Sequence, residues 1–364
     1  MKKVFLIAAA VVAFAACSKN EVLPSSSINN EISFNVAPRT KALTPGQIEF
    51  NKELTFQTYA YYLPDGQTWA THKATSQTYI DNAKIEYVDP QWKNATHTYY
   101  WPKQGKLTFL SWTAVKEDWT SGGKLVVNYD PADATCAHDS GLKFSFDAVN
   151  NKNKDILVAD IAADKNANVS TYLATGVPTL FKHQLSYVVF KVRTDKDYTT
   201  AGKKFELNSI KFGASLSKSA TYQQIATEGV VAGWTETGKG EQVYYNGGAN
   251  PPVINYVDLT AEGATVPALT SKDTQNLYLP QTFAADGNEV TIQYTITTKE
   301  GSSTSTDVVT KTFSLNPSTG TKVFTTWEPG KKYTCTLTFS LDEITWDPAV
   351  QDWDPVTAAD ITIQ

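Results

Sequence analysis

Arginine is almost missing from this 364-residue chain: of 32 basic residues, only Arg39 and Arg193 are arginine. Against 37 acidic residues the formal charge is −5, which leaves no basic face for a nucleic-acid backbone. Cysteine occurs three times, at Cys17, Cys136 and Cys335, too few for a disulfide framework. Cys136 and Cys335 fall in different halves and are expected as unpaired thiols. Histidine occurs four times, at His72, His97, His138 and His183, and no His-Glu-x-x-His, Gly-x-Ser-x-Gly or glycine-rich phosphate loop is present. Cys136-Ala137-His138 sets two ligand-type side chains together, but nothing near them completes a four-ligand zinc set. Neither a metal nor a cofactor is expected, and no reaction class is indicated. Beyond the first 16 residues no apolar run approaches the roughly 20 residues of a membrane-spanning helix.

What is present begins at the N-terminus. Lys2 and Lys3 precede an unbroken apolar run over residues 4–16, and Cys17 follows it directly. A basic start, a short apolar stretch and small residues before the cut describe an export signal. Phe14-Ala15-Ala16-Cys17 resembles a bacterial lipobox with Phe14 in the usual leucine position. On this reading residues 1–16 are removed, Cys17 is acylated, and residues 17–30, with their Ser25-Ser26-Ser27 run, tether the protein to a membrane by lipid. An ordinary signal peptide cut after Ala15, with Cys17 incidental, is the alternative.

The mature chain reads as strands nearly throughout. Alternation marks residues 31–36, 54–63, 107–112, 125–129, 143–146 and 155–159. In the second half it marks 185–193, 205–212, 253–259, 276–279, 290–298, 308–315, 333–341 and 361–363. Val, Thr, Tyr and Phe dominate these runs, as a pleated, half-buried surface favours. Asp65-Gly66, Gly122-Gly123, Gly247-Gly248, Asp286-Gly287 and Pro329-Gly330 separate them as turns. No helical period holds for more than about two turns. The fold class is therefore all-β. The strand count exceeds one sandwich of about seven to nine, so two are expected, over residues 31–170 and 177–364, with the polar stretch 164–176 as linker.

Three features invite a functional reading beside a structural one. Ile32, Phe34 and Val36 share one face of the first mature strand, and Arg39 follows it in a polar, proline-containing break. Arg39 is either a solvated loop residue or the single accessible target of an arginine-specific protease. His183 falls on the apolar face with Val177, Phe181 and Leu185, which favours a buried, hydrogen-bonded structural histidine over a catalytic one. Trp346-Asp347-Pro348 recurs as Trp353-Asp354-Pro355 amid further acidic residues. Core tryptophans flanked by solvated charges are preferred there over a calcium or sugar site.

Several stretches, in their order and spacing, resemble the fimbrillins, lipoprotein pilins of type V fimbriae of anaerobic Gram-negative bacteria. Beyond Cys17 and the strand before Arg39 these are Tyr99-Tyr100-Trp101-Pro102, Asp155-Ile156-Leu157-Val158-Ala159, Phe181-Lys182-His183-Gln184-Leu185-Ser186, Leu279-Pro280-Gln281 and Trp327-Glu328-Pro329-Gly330. The resemblance implies two transthyretin-like β-sandwiches and a non-enzymatic structural or adhesive subunit. It implies export to the outer membrane on the lipid of Cys17 and cleavage between Arg39 and Thr40, or between Lys41 and Ala42. Assembly with other fimbrial subunits by strand exchange then follows, possible surface ligands being host or bacterial. Ile32, Phe34 and Val36 would be the displaced strand, at a sandwich edge, and Ile361 and Ile363 would belong to the donor strand. A surface lipoprotein that captures glycans, with Trp346 or Trp353 as stacking platforms, is the competing reading.

Overall fold

The computed structural model describes residues 30–36, 50–118, 125–129, 134–150, 153–167, 170–261, 263–269, 275–320 and 323–353. Its helices are brief: α1 (Trp69–His72), α2 (Ser170–Thr175) and two single 3-10 turns among the described residues. The rest is built on strands, and the protein is all-β with several sheets.

The first half carries β1 (Phe34–Val36), β2 (Phe56–Leu63), β3 (Gln77–Val88), β4 (Gln91–Lys93), β5 (Lys106–Asp118) and β6 (Leu125–Tyr129). It continues with β7 (Thr135–Ala137), β8 (Gly141–Asp147), β9 (Lys154–Ala159), β10 (Ala162–Lys165), β11 (Val177–Thr179) and β12 (Phe181–His183). Ten of these make one sheet along the path β11-β1-β4-β3-β2-β5-β9-β12, with β6 and β10 also pairing with β5. The two ends of that path, β11 and β12, have only Leu180 between them. Successive Cα atoms are about 3.8 Å apart, so the sheet curls until its ends meet. Ile32, Phe34, Phe56, Trp101, Phe109 and Phe181 fill the space it encloses.

The second half carries β13 (Ser186–Thr194), β14 (Lys203–Phe212), β15 (Ser217–Gln223), β16 (Gly233–Lys239), β17 (Gln242–Asn246) and β18 (Leu277–Tyr278). It continues with β19 (Gln281–Thr282), β20 (Glu289–Glu300), β21 (Ser303–Ser314), β22 (Thr326–Trp327), β23 (Lys331–Phe339) and β24 (Ile344–Asp352). Sheets β18-β13-β23-β24 and β17-β14-β20-β21 pack across a core that includes Phe190, Phe205, Phe212, Tyr244 and Trp327. A further sheet, β16-β15-β8-β7, takes strands from both halves, Ser219 to Gln223 of β15 pairing with Asp147 to Lys143 of β8. A third core lies there, with Tyr61, Trp112, Phe144, Tyr222, Leu279 and Trp353. Both halves also meet through the buried Asn153 side-chain oxygen, which accepts the Asn276 N–H at 2.9 Å.

Some expected elements change. Residues 253–259 make only isolated bridges, Val253 to Glu206 and Tyr256 to Thr194; Pro251 and Pro252 just before them have no N–H for a ladder. The stretch 164–176 is not strand-free: β10 reaches Lys165, and α2 follows. The acidic stretch around Trp346 is β24, last in its sheet, where Pro348 costs no internal ladder bond.

Candidate functional site

The best-defined candidate is the bed of β1. Alternation puts Ile32, Phe34 and Val36 inward, 3%, 4% and 9% exposed. Burying side chains of this size stabilises the fold by about 1.5–3 kcal/mol each. Phe34 makes edge-to-face contacts with Phe56 at 5.5 Å and Phe109 at 5.7 Å between ring centroids.

The backbone of this segment is held from both sides. Ile32 N–H donates to the Tyr99 carbonyl at 2.8 Å, and Trp101 N–H donates to the Asn30 carbonyl at 3.0 Å. Phe34 then pairs with Trp92 of β4. On the other side β11 runs parallel, with Phe34, Asn35 and Val36 opposite Val177, Pro178 and Thr179. Val177 N–H donates to the Ser33 carbonyl at 2.7 Å. β1 is thus one strand in from the end of the path, which corrects its expected place at an edge. The end position belongs to β11, whose Pro178 suits an outermost strand.

Two residues of this bed went unnoticed in the sequence. Gly176 has φ +84°, and a Cβ there would lie 2.8 Å from the Phe34 carbonyl carbon and 3.0 Å from the Asn35 nitrogen. Glycine is therefore required both for the backbone turn and for the close approach of β1. Gly176 stands just before a β-branched residue and a proline, a signal of a turn but not of its partner. Lys93 meets Glu31 at 3.2 Å, with side chains 27% and 11% exposed. Only the fold brings that pair together.

The other residues singled out from the sequence take varied places. Cys17, Arg39, Thr40, Lys41, Ala42, Ile361 and Ile363 lie outside the described residues. His183 is 6% exposed, and its Nδ1 lies 2.5 Å from Asp155 Oδ2, so it is the buried, hydrogen-bonded histidine that the strand pattern predicts. Trp353 is buried and stacked on both His183 and Tyr187. Trp346 packs on Phe190 and Phe313. These contacts occupy the rings that a sugar would need. Cys136 and Cys335 are free thiols. Burial pushes the Cys136 thiol up to about 12 despite a contact from the Tyr61 hydroxyl, and pushes Cys335 higher. Among the described residues no group of three or more His, Cys, Asp or Glu side chains could hold a metal ion.

Comparison with known proteins agrees with this fold. A fimbrial protein from Bacteroides vulgatus superposes with a TM-score of 0.61 at 20% identity, over 89% of this chain and all of that one. A putative cell adhesion protein from Bacteroides uniformis gives 0.48 at 15% identity, over 89% of this chain and 97% of its own. The tip fimbrial protein Mfa3 from Porphyromonas gingivalis gives 0.36 at 9% identity, over 89% of this chain and all of that one. The first of these supports a shared fold; the other two scores are too low to argue from. No curated protein matches the chain in sequence. The model of the fimbrillin-like family matches residues 40–353, most of the chain. With that match and its all-β architecture, the chain belongs to the fimbrillin-like family.

Proposed function

We propose that the protein is a non-enzymatic structural or adhesive subunit of a cell-surface fimbria, assembled by replacement of β1. The observation that carries this reading is the burial of Ile32, Phe34 and Val36 in a slot walled by β4 and β11, both of which come later in the chain. Removing the segment would leave that slot with apolar pockets and unpaired backbone groups, a template for another strand. Cleavage between Arg39 and Thr40, or between Lys41 and Ala42, is the irreversible way to vacate it. Ile361 and Ile363, alternating in the C-terminal tail, are the incoming pair from a neighbouring subunit.

The same proposal includes export as a lipoprotein acylated on Cys17, which places the precursor on the outer membrane and the processed subunit in the fimbria. It also includes a division into an N-terminal and a C-terminal sandwich, joined by the sheet of β7, β8, β15 and β16. The boundary, expected between residues 170 and 177, is drawn after β12 instead, because β11 and β12 pair within the first sheet. Partners are other fimbrial subunits and ligands on host or bacterial surfaces. The glycan-capture reading loses its main support, because Trp346 and Trp353 are engaged in packing.

The test is Arg39→Ala combined with Lys41→Ala, scored as ladders of polymers on denaturing gels run without boiling. Loss of ladders is expected, and ladders equal to the parent's would refute the proteolytic trigger. In parallel, Cys17→Ala should abolish lipid labelling and outer-membrane retention.

A further inference from the structure

The residues that β1 uses have a counterpart at the other end of the chain. Glu31-Ile32-Ser33-Phe34-Asn35 reads acid, isoleucine, hydroxyl, large apolar, amide. Asp360-Ile361-Thr362-Ile363-Gln364 reads the same, position by position. In β1 and the three residues leading into it each of these chemical types has a job. Ile32 and Phe34 fill the pockets, and the short hydroxyl side chain of Ser33 is buried at 4% exposure. Asn35 is half-buried, and Glu31 closes on Lys93 at 3.2 Å.

We infer that Lys93 sets the register of the incoming strand by pairing with the acidic residue that leads it, Asp360 of a second copy of this chain. The inference rests on the strand-replacement reading above and names its selecting charge. Asp360 takes the place of Glu31, Ile361 that of Ile32, and Ile363 that of Phe34, entering in the direction of β1, parallel to β11. A strand shifted by one residue would turn its isoleucines away from the pockets. A shift by two would keep the apolar face but lose the contact with Lys93. Alternation therefore fixes the face, and the charge fixes which of the allowed positions is taken. Lys93 is available for this exchange once Glu31 leaves. The other acidic residue opposite it, Glu86 of β3, has its own partner in Lys84 at 3.1 Å. Both Lys93 and Glu31 are mostly shielded from water, so a like charge at this point is repelled more strongly than on an open surface.

The experiment scores polymer ladders from cells expressing the full chain and a set of variants. Deleting residues 360–364 tests the parent reading, and Asp360→Lys tests the pairing. Asp360→Lys is expected to cut ladder yield about tenfold. Lys93→Glu combined with Glu31→Lys keeps the precursor's own ion pair in swapped form, and a thermal melt confirms that it folds. That double variant should also lose ladders, and adding Asp360→Lys to it should restore them. If the deletion abolishes ladders while Asp360→Lys assembles like the parent, the register inference is overturned and strand replacement stands. Failure of the triple variant to recover, with the double variant folded, overturns it equally. If the deletion itself leaves ladders unchanged, the donor role of the tail is wrong and the inference falls with it.

Discussion

His183 and Trp353 lie face to face, their ring centroids 3.5 Å apart and their planes 12° from parallel, although almost half the chain separates them. The imidazole is held at its edge by a hydrogen bond between Nδ1 and Asp155 of β9. The Trp353 N–H donates to the Gly330 carbonyl at 2.9 Å, and the Gly330 N–H donates to the Leu185 carbonyl at the same distance. The end of β24 is thereby fastened to β12, the last strand of the curled sheet.

Trp353→Ala should therefore cost far more than its place near the end of the sequence suggests. The expected loss is about 3–5 kcal/mol, the usual range for deleting a buried large aromatic. Trp346→Ala, at a half-buried position, should cost less. Chemical denaturation of the two variants beside the parent measures both.

Gly176→Ala should weaken the seat of β1. The added methyl meets the Phe34 backbone at 2.8 Å and also strains a left-handed turn. Destabilisation above about 1 kcal/mol is expected. Hydrogen exchange should accelerate first at the Ile32 and Val177 amides, which bond to Tyr99 and Ser33 respectively.

Phe34→Ala in the full chain should destabilise by about 3–5 kcal/mol, because Phe56 and Phe109 lose the ring they pack against. Asn35→Ala, one residue along and half-buried, should stay within about 1 kcal/mol. Equal losses at the two positions would contradict the inward placement of Phe34.

Folded protein should resist thiol alkylation at pH 8 and react at both Cys136 and Cys335 once denatured, counted by intact mass. Burial holds both thiols protonated well above their ordinary range. The same shifts give a pH dependence. A group whose folded pKa is raised binds its proton more tightly when folded, so its contribution is full below the unfolded value and falls as pH climbs toward the folded one. Cys136 contributes between about 9 and about 12, and the buried phenols of Tyr61, Tyr222 and Tyr244, also pushed upward by burial, act in the same sense. The melting temperature should decline as pH rises above about 9.

Much of the fold was legible wherever one face of a strand is buried and its phase is unbroken. Residues 125–129 coincide with β6, and β2, β9, β13, β14, β20 and β23 lie within a few residues of the expected runs, while β5 begins where expected but runs six residues past 112. β3 was invisible for a physical reason. It carries Asn82 at φ +46°, and its register against β2 shifts twice between Thr58 and Tyr61, so no single period of two runs through it. The Thr- and Gly-rich β16 and the Asp- and Pro-bearing β24 are sheet-end strands with largely exposed side chains, which removes the apolar alternation. At the site, the inward face of β1 could be read from Ile32, Phe34 and Val36 alone. Its neighbours could not, because Val177 and Trp92 reach it through long-range pairing that a local pattern does not encode.

The single residue Leu180 between β11 and β12 has a mechanical consequence. A wall made of strands normally splits open when one of its inner members is withdrawn, because the outer member is left with nothing to hold it. Here the outer member is spliced to the far end of the same wall, like the first and last staves of a cask under one hoop. Withdrawing β1 would leave a gap two strand spacings across, about 10 Å, with both lips still fixed. A newcomer would meet a slot already cut to width, and little of its binding energy would go into reshaping the host.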